Sequence, residues 1–181
     1  MPPHNERSIH INQQSRDQEA RDAIDVVSTS DHISGVKKKD DSFLLQSGEH
    51  GGANVSALNT VIGGLPGSTV TKTMTISNSC CITGVKFLSD SDDVLVDITN
   101  NRCTVTFIGC QFEKNPQSVP TFIQVKDGAN VHFVGCSFYP AVNVGGNIIS
   151  GPTVAANIQL FSCSNITGQS LGTCTETGTT T

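Results

Sequence analysis

Beyond about residue 70, apolar and polar residues alternate with a period of two, in short runs separated by Gly, Asn, Ser and Asp. Such alternation sets one face of a β-strand toward a core and the other toward water. Val105-Thr106-Phe107 and Val131-His132-Phe133 are runs of this kind, and Ile158-Gln159-Leu160 matches them. A second run lies upstream of each: Met74 to Ile76, Val94 to Ile98, Phe122 to Val125 and Asn147 to Ile149. Turn-forming stretches separate the two, as in Ser77-Asn78-Ser79, Asn100-Asn101 and Asp127 to Asn130.

The runs belong to a repeat. Ile82 to Phe87, Phe107 to Phe112, Phe133 to Phe138 and Leu160 to Asn165 read alike, and the equivalent residues Val85, Cys110, Cys136 and Cys163 are 25, 26 and 27 residues apart. A unit of about 25 residues with short strands and one buried face cannot close a core alone, whereas stacked units can. The repeat therefore predicts an all-β chain, a short right-handed parallel β-helix of about four to five coils. A β-sandwich is the rival, and a left-handed coil, with its shorter hexapeptide unit, fits the period poorly. Parallel stacking predicts core ladders: Cys80, Val105, Val131 and Ile158; Ile82, Phe107, Phe133 and Leu160; Val85, Cys110, Cys136 and Cys163; and Phe87, Phe112 and Phe138. The Gly before each Cys marks a bend or close backbone approach. Leu88 to Asp93, Glu113 to Thr121 and Tyr139 to Gly146 are the variable loops.

Composition changes this picture at the N-terminus. Residues 1–50 hold six of the eleven Lys and Arg, nine of the sixteen Asp and Glu and four of the five His, with few apolar residues. Such a stretch cannot offset its own ordering entropy. Residues 1–52 are expected to form an extended arm supported by partner subunits, 53–170 the body and 171–181 a tail. A short helix over Ser15 to Val27 is conceivable but lacks an apolar face.

The copies V-x-F-[IV]-G-C-x-F at 105–112 and 131–138 resemble parallel β-helix proteins of the pectate-lyase-like folds and of virus tail spikes and capsid decorations. The resemblance spans roughly residues 70–167 and is one of architecture, without a catalytic motif. It implies a viral structural protein, commonly a trimer with an N-terminal virion-binding segment.

Candidate chemistry is sparse. The formal charge of −5 does not favour nucleic acid or an anionic membrane. The basic run Lys37-Lys38-Lys39 is followed at once by Asp40 and Asp41. No apolar stretch approaches the roughly 20 residues of a membrane span. The polar start at Met1 to Arg7 lacks a signal-peptide core, so a cytosolic origin with reduced thiols is expected. Cys110, Cys136 and Cys163 read as small buried residues, because a ladder spreads ligands that a metal would need at one point. Cys80-Cys81 lacks zinc or redox spacing. Cys103 and Cys174 lie off that ladder and are the candidates for a late or intersubunit disulfide. His132 is expected at the surface. Asp90, Asp92, Asp93 and Asp97 supply carboxylates of the kind glycosidases or calcium sites use, but a solvated loop is the plainer reading. Asn54-Val55-Ser56 and Asn165-Ile166-Thr167 match the glycosylation sequon without a secretion signal.

The resulting expectation is a virion structural protein without enzymatic activity, cofactor or metal, made in the host cytoplasm. It is read as a homotrimeric capsid decoration or cement protein, bound to the major capsid protein or another virion protein through residues 1–52. Outward Ile108 and Val134, with Phe161, are the candidate subunit interface. The alternatives are a receptor- or glycan-binding spike using loops 113–121 and 139–146, and a small polysaccharide-active enzyme using carboxylates from 90–97.

Overall fold

A computed structural model describes residues 25–27, 33–36, 42–91, 93–114, 121–139, 146–151, 157–165 and 170–180. Strands β1 (Asp25–Val27) and β2 (Ile33–Val36) open the chain. Five complete coils follow, each of three strands. They are β3 (Ser42–Leu45), β4 (Gly48–His50) and β5 (Ala53–Val55); β6 (Thr60–Gly64), β7 (Ser68–Val70) and β8 (Met74–Ile76); β9 (Cys80–Thr83), β10 (Lys86–Ser89) and β11 (Val96–Ile98); β12 (Thr104–Ile108), β13 (Gln111–Lys114) and β14 (Ile123–Val125); and β15 (Asn130–Val134), β16 (Ser137–Tyr139) and β17 (Ile149–Ser150). Strands β18 (Ile158–Phe161), β19 (Ser164–Asn165) and β20 (Thr175–Thr177) close the stack.

All pairings are parallel and join each coil to the next. Three sheets result. Sheet A runs β1-β3-β6-β9-β12-β15-β18-β20, sheet C runs β4-β7-β10-β13-β16-β19, and sheet B runs β2-β5-β8-β11-β14-β17. The chain is a parallel β-helix. It passes from A to C to B in every coil, so the three inner faces enclose one core.

The stack is longer than the 25-residue repeat indicates. Phe43 pairs with Ile62 and Ile62 with Ile82, at spacings of 19 and 20 residues, against 25, 26 and 27 for the later coils. The later coils carry longer connections from sheet C to sheet B, whereas only two residues separate β4 from β5. Lacking these insertions, the early coils share the geometry without the period. The boundary expected at residue 52 is therefore corrected: β1 to β4 are rungs of the helix, and Asp25–Val27 is strand rather than helix. Residues 171–180, expected as a tail, likewise contribute the last described rung, since β20 pairs with β18 and Leu171 is buried.

Registered stacking puts like side chains over like. Phe107 lies over Ile82 and under Phe133, which lies under Leu160. Phe87, Phe112 and Phe138 form a second column on sheet C. Rings within a column are stacked, at 5.0 Å and 4° for Phe87 and Phe112 and 5.1 Å and 7° for Phe107 and Phe133. Rings of different columns meet edge to face at 5.4 to 6.1 Å. Both geometries suit the aromatic quadrupole.

The corner from sheet A to sheet C uses one device from β9 onward. Gly84, Gly109, Gly135, Ser162 and Gly178 sit at equivalent positions with φ between 51° and 65°. This left-handed turn brings Val85, Cys110, Cys136 and Cys163 back into the core. At Gly109 and Gly135 an added Cβ would meet nothing within 4 Å, so glycine is chosen there for backbone freedom and not for space. Ser162 adopts the same conformation against the preference of an L-residue.

Three substitutions test this account by urea denaturation. Phe112→Ala removes the ring lying against Phe87, Phe107, Phe133 and Phe138 and should cost about 3–5 kcal/mol. Ser162→Gly should stabilise the chain, and Gly135→Ala destabilise it, each by about 1 kcal/mol; equal and opposite results would tie the corner to φ alone.

Candidate functional site

The outer face of sheet A differs from the rest of the surface. Strands β3, β6, β9, β12, β15 and β18 contain no Asp, Glu, Lys or Arg. Their outward residues form two in-register rows. One runs Ser42, Val61, Cys81, Thr106, His132 and Gln159; the other runs Leu44, Gly63, Thr83, Ile108, Val134 and Phe161. Ile108, Val134 and Phe161 are 42, 38 and 38 % exposed. Leu58, Val61 and Leu65 are the other exposed large apolar side chains among the described residues, and they lie on or beside β6. Val61, Ile108, Val134 and Phe161 thus lie on one sheet face, and Leu58 and Leu65 lie in the turns that border β6. Isolated exposed apolar residues are ordinary, but a contiguous set on one sheet marks an interaction surface.

The other two faces carry the charge. On sheet C, Lys86 Nζ lies 2.7 Å from Glu113 Oε2 on the next rung, and Gln111 Nε2 donates to the same oxygen at 3.2 Å. On sheet B the outward row is Asn54, Thr75, Asp97, Gln124 and Ser150. An open depression of about 380 Å³ there is lined by Asp97, Thr99, Gln124, Lys126, Asp127 and Gly151. Asp90 lines a separate depression with Glu49 and Lys72. The acidic run of the sequence is therefore divided: Asp90 and Asp97 face different hollows, Asp93 accepts a hydrogen bond from Ser91 Oγ at 3.0 Å, and Asp92 lies outside the described residues. Among the described residues no cluster of three or more His, Cys, Asp and Glu could hold a metal ion.

The core-ladder residues Val85, Cys110, Cys136, Cys163, Ile82, Phe107, Phe133, Leu160, Phe87, Phe112 and Phe138 are all buried. The cysteines do more than fill space. The thiols of Cys110, Cys136 and Cys163 each donate across one rung, to the carbonyl oxygens of Ile82, Phe107 and Phe133, at 3.5 Å. A small apolar residue with a weak donor suits a corner where the strand ladder is interrupted.

All seven cysteines are free thiols. Cys103 is 2 % exposed and its thiol donates to the Asn100 carbonyl at 3.0 Å, so burial takes it out of reach of a second subunit. It also lies three rungs from Cys174, too far for a bridge within one chain. Cys174 and Cys81 are the partly exposed thiols, and Cys81 points outward on sheet A.

Two buried polar groups had no visible signal in the sequence. Lys114 follows an outward Glu113 yet turns inward, donating to the carbonyls of Asp93 and Thr121 at 3.3 and 3.2 Å. It ties together the start and end of loops on adjacent coils. His50, placed by composition in the arm, is buried below Val70, with Nε2 donating to the Gln46 carbonyl at 2.7 Å. Lys37 to Lys39 and the central parts of loops 113–121 and 139–146 lie outside the described residues.

The chain matches no protein-family model, no curated protein and no solved structure. What fold and surface define together is a class: a parallel β-helix with one sheet face that bears no fixed charge from β3 to β18.

The thiols yield a pH prediction. Burial pushes Cys80 up to about 12 and, with the Glu176 carboxylate nearby, Cys174 up to about 11. The hydrogen bond with Cys110, followed by burial, raises Cys136 to about 12, while that same contact lowers Cys110. Cys163 is raised by its contact with Cys136 and by burial, and burial raises Cys81 and Cys103. The unfolded chain's thiols ionise near 9.0, before most of the folded ones. The stability they contribute is complete below pH 9 and should fall as pH rises toward 12. At about pH 8, mass spectrometry after brief alkylation should find label at Cys81 and Cys174 first, and at the other five only after denaturation.

Proposed function

We propose that this protein is a non-enzymatic virion structural subunit, a homotrimeric decoration protein of the capsid. The observation that carries the reading is that, among the described residues, the six exposed large apolar side chains lie on or beside the face of sheet A that bears no fixed charge from β3 to β18. Six rungs spaced by ~4.8 Å and strands of about five residues at ~3.3 Å give roughly 15 by 30 Å. That is less than the roughly 800 Å² per partner of a standard interface. The corners at Leu58 and Leu65 add to it. The virion setting comes from the architectural resemblance of the repeat. The anchor assigned to residues 1–52 narrows to residues 1–24, because deleting further would remove rungs of the helix.

A second reading, binding of a glycan or receptor, draws support from the polar depression on sheet B around Asp97, Gln124, Lys126 and Asp127. Its hydroxyl-, amide- and charge-bearing floor suits a sugar better than an apolar ligand.

Sedimentation velocity tests the leading reading. The full chain should run as a trimer, and Ile108→Lys with Val134→Lys should run as a monomer with an unchanged circular dichroism spectrum. Both residues are exposed, so their replacement leaves the core intact. A wild-type monomer would end the trimer. Co-sedimentation with capsid shells that survives removal of residues 1–24 would end the anchor.

A further inference from the structure

Cys110, Cys136 and Cys163 hold one corner on three successive rungs. Each immediately precedes a strand of sheet C, and those strands pair in register, Gln111 with Ser137 and Ser137 with Ser164. The backbones are tied together at the cysteines themselves. Ser137 N donates to the Cys110 carbonyl and Ser164 N to the Cys136 carbonyl, both at 2.9 Å. All three side chains are buried in the core, and the Cys136 thiol is in hydrogen-bond contact with both of the others. The corner itself does not demand a thiol. Val85 fills the same position one rung below Cys110, equally buried and following the left-handed Gly84.

Neighbouring strands of a sheet lie ~4.8 Å apart. That separation falls within the roughly 4.4–6.8 Å between Cα atoms that a disulfide spans. Cys110 and Cys163 are two rungs apart, about 9.6 Å, and out of each other's reach. Cys80 and Cys103, the other buried thiols, lie on adjacent rungs but out of step, since Cys80 pairs with Val105, two residues beyond Cys103. Their diagonal of about 8 Å is past the same limit. From this we infer that the thiol column is an oxidation site that takes one disulfide along the coil axis, with Cys136 as its fixed member and Cys110 or Cys163 as its partner. The bridge belongs to the single chain, whatever its assembly.

The oxidant is a low-molecular-weight disulfide such as glutathione disulfide. One cysteine thiolate of the column attacks it, forming a protein–glutathione mixed disulfide and releasing one glutathione thiolate. The neighbouring cysteine thiolate then attacks the protein sulfur, the bond to glutathione breaks, and the second glutathione leaves. Two cysteines are oxidised, and one glutathione disulfide is reduced to two glutathiones, which take up the two protons. The folded column is closed to a reagent of this size, so the step belongs to folding, before the rungs close. Once formed, the bridge joins successive coils covalently and restricts the unfolded chain.

Refolding of the full chain from urea into mixed reduced and oxidised glutathione at about pH 8 tests it. Circular dichroism follows the fold, and alkylation in urea with mass spectrometry of unreduced chymotryptic peptides maps the bridge. Phe112, Phe133, Phe138 and Phe161 lie between the three cysteines, so this digestion separates them. The product should show the β signal of the reduced protein and one bridge from Cys136 to Cys110 or Cys163. Its urea midpoint should be higher than that of the reduced chain, and dithiothreitol in urea should abolish the gain. Cys163→Ala should place the whole bridge at Cys110 and Cys136, whereas Cys136→Ala should leave Cys110 and Cys163 as thiols. Should Cys136→Ala lose the β signal, the Cys163→Ala map decides alone. Chains that regain the β signal in this mixture with all three thiols still open to alkylation in urea overturn the inference. So do a bridge from Cys136 to a cysteine outside the column and folding that succeeds only under reducing conditions.

Discussion

Every feature of this molecule depends on parallel, in-register hydrogen bonding between successive coils. Each strand's backbone groups are satisfied by the rung below and the rung above, so a residue's vertical neighbours are fixed once the register is set. The core is then built column by column. Phe107 over Phe133, and Phe87 under Phe112 under Phe138, stack because identical backbones place identical rings in the same orientation one rung apart. Where a column ends, its chemistry changes. Glu176 lies over Leu160, and Asn165 over Phe138, at the C-terminal end of the stack. A charged residue at a core-facing position of the last strand discourages another chain from continuing the sheet.

Corners are the other half of the design. In the later coils the sheet A to sheet C corner is repeated, and at Cys110, Cys136 and Cys163 a left-handed residue is followed by a small inward one whose thiol reaches a carbonyl of the neighbouring rung. The corner after sheet B uses amides for a similar purpose, as when Asn100 Nδ2 donates to the Ser77 carbonyl at 2.7 Å. The sheet C to sheet B connection alone grows from coil to coil. Insertion there costs little, because loop closure entropy rises slowly with length and the strands on either side are already held. Lys114 is the exception that binds such a loop to the coil through its backbone carbonyls.

The outer faces are sorted by charge. Sheet C bears the Lys86 and Glu113 pair, a surface ion pair of small energetic consequence. Sheet B bears Asp97, and Lys126 and Asp127 at its margin. Sheet A, the longest, bears no fixed charge from β3 to β18 and holds the exposed apolar residues. A face of this kind is a hazard in a free monomer and a resource in an assembly, which is why self-association is the reading it favours.

The sequence by itself determined the register of the later coils. The alternation around Val105, Val131 and Ile158 and the recurring Gly-Cys pair mark which residues point inward and which stack, because period two and a fixed turn leave little choice. The outward positions of Ile108, Val134 and Phe161 follow from the same parity, and the absence of charge from the sheet A strands is legible once those strands are aligned. The early coils were hidden, since β3 to β8 share geometry with the later ones but neither their spacing nor their Gly-Cys pair. Only the tertiary structure decided that β1 to β4 are rungs, that Lys114 and His50 turn inward, that Cys103 is buried and that Asp90 and Asp97 face separate hollows. Those outcomes depend on which residues from coils some 20 residues apart close over a position, and no local pattern carries that information.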